Sequence, residues 1–187
     1  MPHELVPEAG AGFRRARPAD ADMIAALVNG AFSGDHGTAG WTYENEIFEG
    51  ERTHATEILD LLARPQSMFL LRFQQSEVVG CAYLRKTGGA AYLGMLAVRP
   101  SLQGSGVGKR IMAEAERIAR DEMHCTLMTI GVITNRRPDV TAFYERRGFA
   151  RTGRIKPFEG SQARRQKKAQ DARAEWMEKR LTGNHAG

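Results

Sequence analysis

The residues best placed to do chemistry form one turn, Gln103-Gly104-Ser105-Gly106-Val107-Gly108-Lys109-Arg110, between an apolar run and an amphipathic stretch. Glycines at alternate positions let backbone approach a ligand closely. The first amides of a following helix lack partners within it and point outward at its positive end. Lys109 and Arg110 stand where a helix start favours acidic side chains, an inversion that makes sense if an anion is received there. A pyrophosphate is the expected guest.

Two phosphate-binding patterns fail on spacing. A nucleoside-triphosphate loop needs Gly six residues before its Lys and Ser or Thr directly after it, but those positions hold Gln103 and Arg110. The dinucleotide fingerprint needs a third Gly where Lys109 stands, and an acidic residue about twenty positions on; the next apolar run ends at Ile133-Thr134 without one. The five histidines, His3, His36, His54, His124 and His185, show no metal-ligand spacing. Ser105 reads as a small residue permitting close approach, and neither it nor a cysteine is expected to act as a nucleophile.

The chain has 187 residues, enough for one domain that buries about 70% of its unfolded surface. Residues 1–11 read as a flexible leader, 12–182 as the domain with a polar basic loop over 156–174, and 183–187 as a tail. Cys81 and Cys125 lie in apolar runs, the pattern of buried thiols in a reducing, cytoplasmic setting. No apolar run approaches the roughly twenty residues that span a bilayer, and the N-terminus lacks a signal-like apolar core. The formal charge of +5 raises nucleic-acid binding. However, much of the excess sits at Arg164, Arg165, Lys167 and Lys168, without an aromatic residue nearby to stack on a base, so a solvated loop is expected.

Alternating strand and helix signals predict a mixed α/β sheet. Strands are expected at 13–17, 68–73, 78–85, 92–98, 125–133 and 176–181. A helix capped by Asp20 or Asp22 carries Met23, Ile24, Leu27, Val28 and Ala31 at helical spacing. A second covers 58–62. A third follows the glycine turn, with Ile111, Met112, Ala115, Ile118 and Ala119 in one stripe. A fourth spans 140–147, stopped by Gly148.

The pattern Q/R-x-x-G-x-G/A, the preceding Leu96-Ala97-Val98-Arg99-Pro100, the run Thr126–Ile130, the segment Ala142-Phe143-Tyr144-Glu145-Arg146-Arg147-Gly148-Phe149 and the closing Trp176–Leu181 occur in order. Together they resemble the GNAT superfamily of acyl-coenzyme A dependent N-acetyltransferases, over roughly residues 12–182. The resemblance implies a mostly antiparallel mixed sheet flanked by helices, with the fourth and fifth strands splayed to hold acyl-CoA. It implies that backbone of Leu96, Ala97 and Val98 meets the pantetheine arm, and that amides from Gln103, Gly104, Ser105, Gly106, Val107, Gly108 and Lys109 hold the pyrophosphate. Tyr144 matches the tyrosine that protonates the departing thiolate in many members; its phenol is neutral at pH 7 and can donate. Acetyl-CoA is then the co-substrate, an amine the acceptor, and a homodimer a recurrent assembly.

Two positions depart from that pattern. Many members carry Asn where this chain has Arg137, while Asn135 lies two residues early; both stand as candidate coenzyme contacts. Several place a Glu on the fourth strand, but Tyr92–Ala97 has no carboxylate. Attack needs the neutral amine, whose ordinary pKa is near 10 if it resembles Lys, so a base, a desolvated pocket or a water chain must take the proton. His36, Glu44, Glu46 and His54 are candidates for the base, and Trp41, Tyr43 and Phe48 for the acceptor pocket. The alternative from another class is a non-catalytic module that binds acyl-CoA or CoA.

Overall fold

The computed structural model describes residues 11–33, 50–158 and 171–182. Seven strands form one sheet: β1 (Ala11–Arg15), β2 (Ser67–Gln74), β3 (Glu77–Thr87), β4 (Ala90–Val98), β5 (Leu127–Ile133), β6 (Ala150–Lys156) and β7 (Ala174–Arg180). Their spatial order is β1-β2-β3-β4-β5-β7-β6. Every neighbouring pair is antiparallel except β4 and β5, which run parallel. The helices are α1 (Ala21–Ser33), α2 (Ala55–Leu62), α3 (Val107–Arg117) and α4 (Pro138–Glu145). This is the expected fold class.

Strand alternation divides the core in two. Phe69 and Leu71 of β2 face α1 and α2, against Ile24, Val28 and Ile58. Met68 and Leu70 face the other side, where α3 lays down Val107, Ile111, Met112 and Ala115, with α4 alongside. The four largest apolar side chains on this stripe and its continuation, Val107, Ile111, Met112 and Ile118, are worth roughly 1.5–3 kcal/mol each before the entropy of ordering them. That anchoring fixes where the start of α3 points.

Several boundaries differ from the sequence expectation. β1 lies at 11–15 rather than 13–17, because Pro18 opens a short 3-10 turn whose Asp20 accepts from the Arg17 N–H at 2.7 Å. β5 starts at Leu127 because the Cys125 and Thr126 amides donate to Ala119 and Gly89 instead. α4 runs from Pro138 to Glu145 rather than over 140–147, and the chain turns away from it at Gly148, whose φ is +88°. The amides of Gly148 and Phe149 close it by donating to Glu145 and Tyr144. Strand β6 was not anticipated: its side chains are mostly exposed and Gly153 breaks its register, so no alternation marks it. The basic cluster at 164–168 lies outside the described residues, as do most of the leader and the tail. Among the described residues no helix is long and apolar enough to cross a membrane. Cys81 and Cys125 are unpaired and buried.

Glu175 on β7 clamps the irregular edge. It is 5% exposed and accepts from Arg151 at 2.6 and 3.0 Å, from Thr134 Oγ1 at 3.1 Å and from the Gly153 N–H at 2.7 Å. The Arg151 bond, more than the others, holds its pKa below the ordinary 4.5. A depressed carboxylate adds stability above its unfolded value and loses it as pH falls through the folded one. Glu175→Gln should therefore cost about 1–3 kcal/mol at pH 7, and the gap between variant and parent should close below pH 4.5. Urea unfolding at both pH values measures this.

Candidate active site

β4 and β5 pair only at Ala90–Tyr92 with Leu127–Thr129. Beyond that they separate, although β5 stays on β7 through Ile133 and β4 stays on β3 through Val98. A bulge accounts for the divergence: Cys81 faces Ala97 and Tyr83 faces Gly94, leaving Met95 and Leu96 opposite the single residue Ala82. Met95 takes φ +45° to achieve it, and such bulges bend and twist a strand.

Alternation then decides which peptide groups face the gap. The Arg99 N–H donates to Val79 of β3 at 2.9 Å, so Val98 and Leu96 present their backbone to the open side. Ala97 does not: its carbonyl lies against β3 beside Gly80, and its side chain is fully buried. The Val98 carbonyl accepts from Gln103 Nε2 at 3.1 Å, which ties the turn to the strand end.

The turn enters α3 through Gly104 at φ +81° and Gly106 at φ +86°. These are left-handed conformations that a side chain would strain. Gly108 has an ordinary φ, and a Cβ there would meet Val98 at 3.6 Å and Phe143 at 3.9 Å. The amides of Gly104, Gly106, Val107, Gly108 and Lys109 have no acceptor among the described residues. Those of Gln103 and Ser105 fold back onto Pro100 and Leu102 at 3.3 Å, and the Ser105 hydroxyl also turns to Leu102. A groove of about 270 Å³ runs past Leu96, Val98, Gln103, Gly104, Gly106, Gly108 and Lys109. Val107 does not line the groove and has its side chain in the core.

Arg147 also lines this groove. Its Nη1 donates to the Phe143 carbonyl at 2.8 Å, its guanidinium lies 3.4 Å from the Phe143 ring centre, and its Nε is buried without a partner. Burial first, and Arg146 second, lower its pKa. A desolvated guanidinium beside free amides is a natural anion partner.

A second cavity adjoins the first, with Leu96 lining both. Phe143 faces the groove and Tyr144 this cavity, so α4 straddles their junction. Tyr144 packs edge-on against Phe143 and Phe149 at 5.2 and 5.7 Å. The far wall includes Phe32, Arg52, Lys156 and Phe158. Arg137 reaches this cavity too, and forms a two-pronged ion pair with Asp139 at 3.0 and 3.1 Å. Asn135 is not brought to the groove. Its amide donates to the Asp171 carbonyl at 2.7 Å and accepts from the Arg173 N–H at 2.9 Å, bracing the entry to β7.

His54 is exposed and sits 3.0 Å from Glu51, away from both cavities. His36, Trp41, Tyr43, Glu44, Glu46 and Phe48 lie outside the described residues. Burial pushes the Cys81 thiol up to about 12, which leaves it unreactive. Sequence reasoning missed Arg147, Arg52 and Lys156 as lining residues. Arg147 lay inside the quoted Tyr-Glu-Arg-Arg-Gly-Phe segment, whereas Arg52 and Lys156 carried no local signal.

A parallel strand pair opened into a cleft, leading from a cradle of free amides past a tyrosine, defines an acyl-CoA dependent acyltransferase fold. Residues 37–149 match the acetyltransferase (GNAT) family, and the chain belongs to it. It is similar to an IAA acetyltransferase of Azospirillum brasilense, 29% identical over 119 residues, which are 62% of this chain and 75% of that one. Its fold matches the PaiA N-acetyltransferase of Thermoplasma acidophilum in complex with coenzyme A, with TM-score 0.66 and 20% identity over 91% and 98% of the two chains. A chimera of spermidine N-acetyltransferase SpeG from Vibrio cholerae with hSSAT also matches, with TM-score 0.66 and 15% identity over 92% and 96%.

Gly108 offers a clean test of the groove, since its backbone tolerates a side chain while the space beside Val98 and Phe143 does not accommodate a large one together with a ligand. Gly108→Leu should keep or raise the melting temperature, because Gly costs a helix about 1 kcal/mol relative to Ala. It should weaken acetyl-CoA binding by about a hundredfold or more, roughly 3 kcal/mol, as read by calorimetric titration.

Proposed function

We propose that this N-acetyltransferase moves the acetyl group of acetyl-CoA directly to a primary amine, with Tyr144 as the acid for the leaving thiolate. The observation that supports the reading is that Leu96 lines both cavities, with the amide cradle beside one and Tyr144 lining the other. The pyrophosphate is received by the amides of Gly104, Gly106, Val107, Gly108 and Lys109, with Lys109 and Arg147 supplying charge. The pantetheine arm adds to the open edge of β4 at Leu96 and Val98, in the manner of a peptide joining a sheet.

That placement leaves the thioester at the mouth of the second cavity. The amine nitrogen attacks the carbonyl carbon, and the open edge of β4 supplies amides for the negative charge on oxygen. The C–S bond breaks, the sulfur takes the Tyr144 proton, and the proton lost by the amine returns to the phenolate through water. No covalent enzyme intermediate is required, which suits a site whose cavities are lined by no cysteine.

Tyr144→Phe keeps the edge-on packing with Phe143 and Phe149 and removes only the hydroxyl. It should lower kcat about a hundredfold while leaving the affinity for acetyl-CoA unchanged. Thiol release across a panel of amines, beside calorimetric titration of both proteins, checks this. A chain that only held acyl-CoA would release no thiol with any amine.

A further inference from the structure

The first turn of α3 has two flanks. Successive residues of a helix are rotated by about 100°, and Val107 and Ile111 point at the sheet, where they fill the space above Gly80 of β3. Gly108 therefore faces one side and Arg110 the other. Gly108 lies against Val98 of β4, at the coenzyme groove. The strand partners of Gly80 are Val98 on β4 and Arg72 on β2, so Arg110 stands over β2, toward Arg72.

Arg72 is an unusual residue for a core position. It is 9% exposed, its guanidinium lies 4.7 Å from the ring centre of Phe13, and it makes no hydrogen bond or ion pair among the described residues. Arg110 is exposed, and its side chain is likewise without a partner among them. Burial first, and Arg110 second, lower the Arg72 pKa. The acids farther along this flank are committed elsewhere: Glu114 accepts from Arg117 at 2.8 and 3.1 Å, and Glu122 accepts from Arg117 at 2.9 Å and from Arg15. Desolvating a guanidinium is costly, and a ring face offsets only part of that cost.

We propose that Arg72 and Arg110 form a second anion site, on the flank of α3 away from the coenzyme groove, for a phosphate monoester. Such a group carries close to two negative charges and three acceptor oxygens. Two guanidinium forks match both, and the Phe13 ring holds the buried fork in place. A carboxylate would leave one cation unanswered. The phosphate has two sources: a phosphorylated ligand separate from the coenzyme, or the ribose phosphate that acetyl-CoA carries beside its pyrophosphate. The site does not depend on the transfer reading.

The test is calorimetric titration of inorganic phosphate into the chain alone, with dephospho-CoA, which lacks the ribose phosphate, and with CoA, chloride holding the ionic strength constant. Phosphate should bind in the first two arms, and Arg72→Met and Arg110→Gln should each weaken it about tenfold or more, the worth of a hydrogen bond to a charged group. Phosphate that still binds with CoA present identifies a separate ligand. Phosphate excluded by CoA, with both variants weakening CoA and sparing dephospho-CoA, identifies the coenzyme's own ribose phosphate. No phosphate binding by the folded parent, or binding unmoved by Arg110→Gln, overturns the site. The second criterion stands even where Arg72→Met does not fold, because Arg110 is exposed.

Discussion

The site depends on one constraint: β4 can remain hydrogen-bonded to β3 along its length and still leave β5 after three residues. A central strand normally satisfies its peptide groups on both sides, and leaving them unpaired in the interior is costly. Here the bulge at Met95 and Leu96 turns the strand, and the price is one non-glycine residue at φ +45°. Strained backbone of this kind persists only where its surroundings over-determine it. Buried Leu93, Ala97 and Val98 on either side of the bulge, together with the unbroken β3 partner, provide that.

The same logic governs the start of α3. Five successive or near-successive amides are left without acceptors, and the residues that follow are basic where acids would relieve the helix dipole. Arg147, just past the end of α4, joins Lys109 as a second cation lining the groove. Each feature alone is a small loss of stability. Together they form a surface whose complement is a multiply charged anion, and the apolar stripe of α3 holds it rigidly at the end of β4.

The parts legible in the sequence are those whose signal is local. The turn, the α3 stripe and the Tyr144 segment are each contiguous, and Gly148 takes the left-handed turn that follows α4. β6 was not legible, because an exposed edge strand interrupted at Gly153 has neither alternation nor a buried face. The bulge was hidden since the positive φ falls on Met95 rather than on the adjacent Gly94. Asn135 shows the converse: its type suggested a coenzyme contact, but its amide is spent on the backbone of 171–173, a pairing between segments far apart in sequence.

This division explains why membership of the family leaves the acceptor open. The coenzyme groove is made from two short stretches, 96–109 and 143–147, so its chemistry travels with a compact motif. The second cavity draws on α1, the segment before α2, the bulge of β4, the end of β5, the end of β6 and the start of β7. No single stretch specifies it, and each contributor can change without disturbing the groove. Lys156 illustrates the point, because its presence in the cavity depends on the absence of a side chain at Gly131 in another strand. Acceptor choice is therefore set by tertiary combinations, while coenzyme choice is set by local sequence.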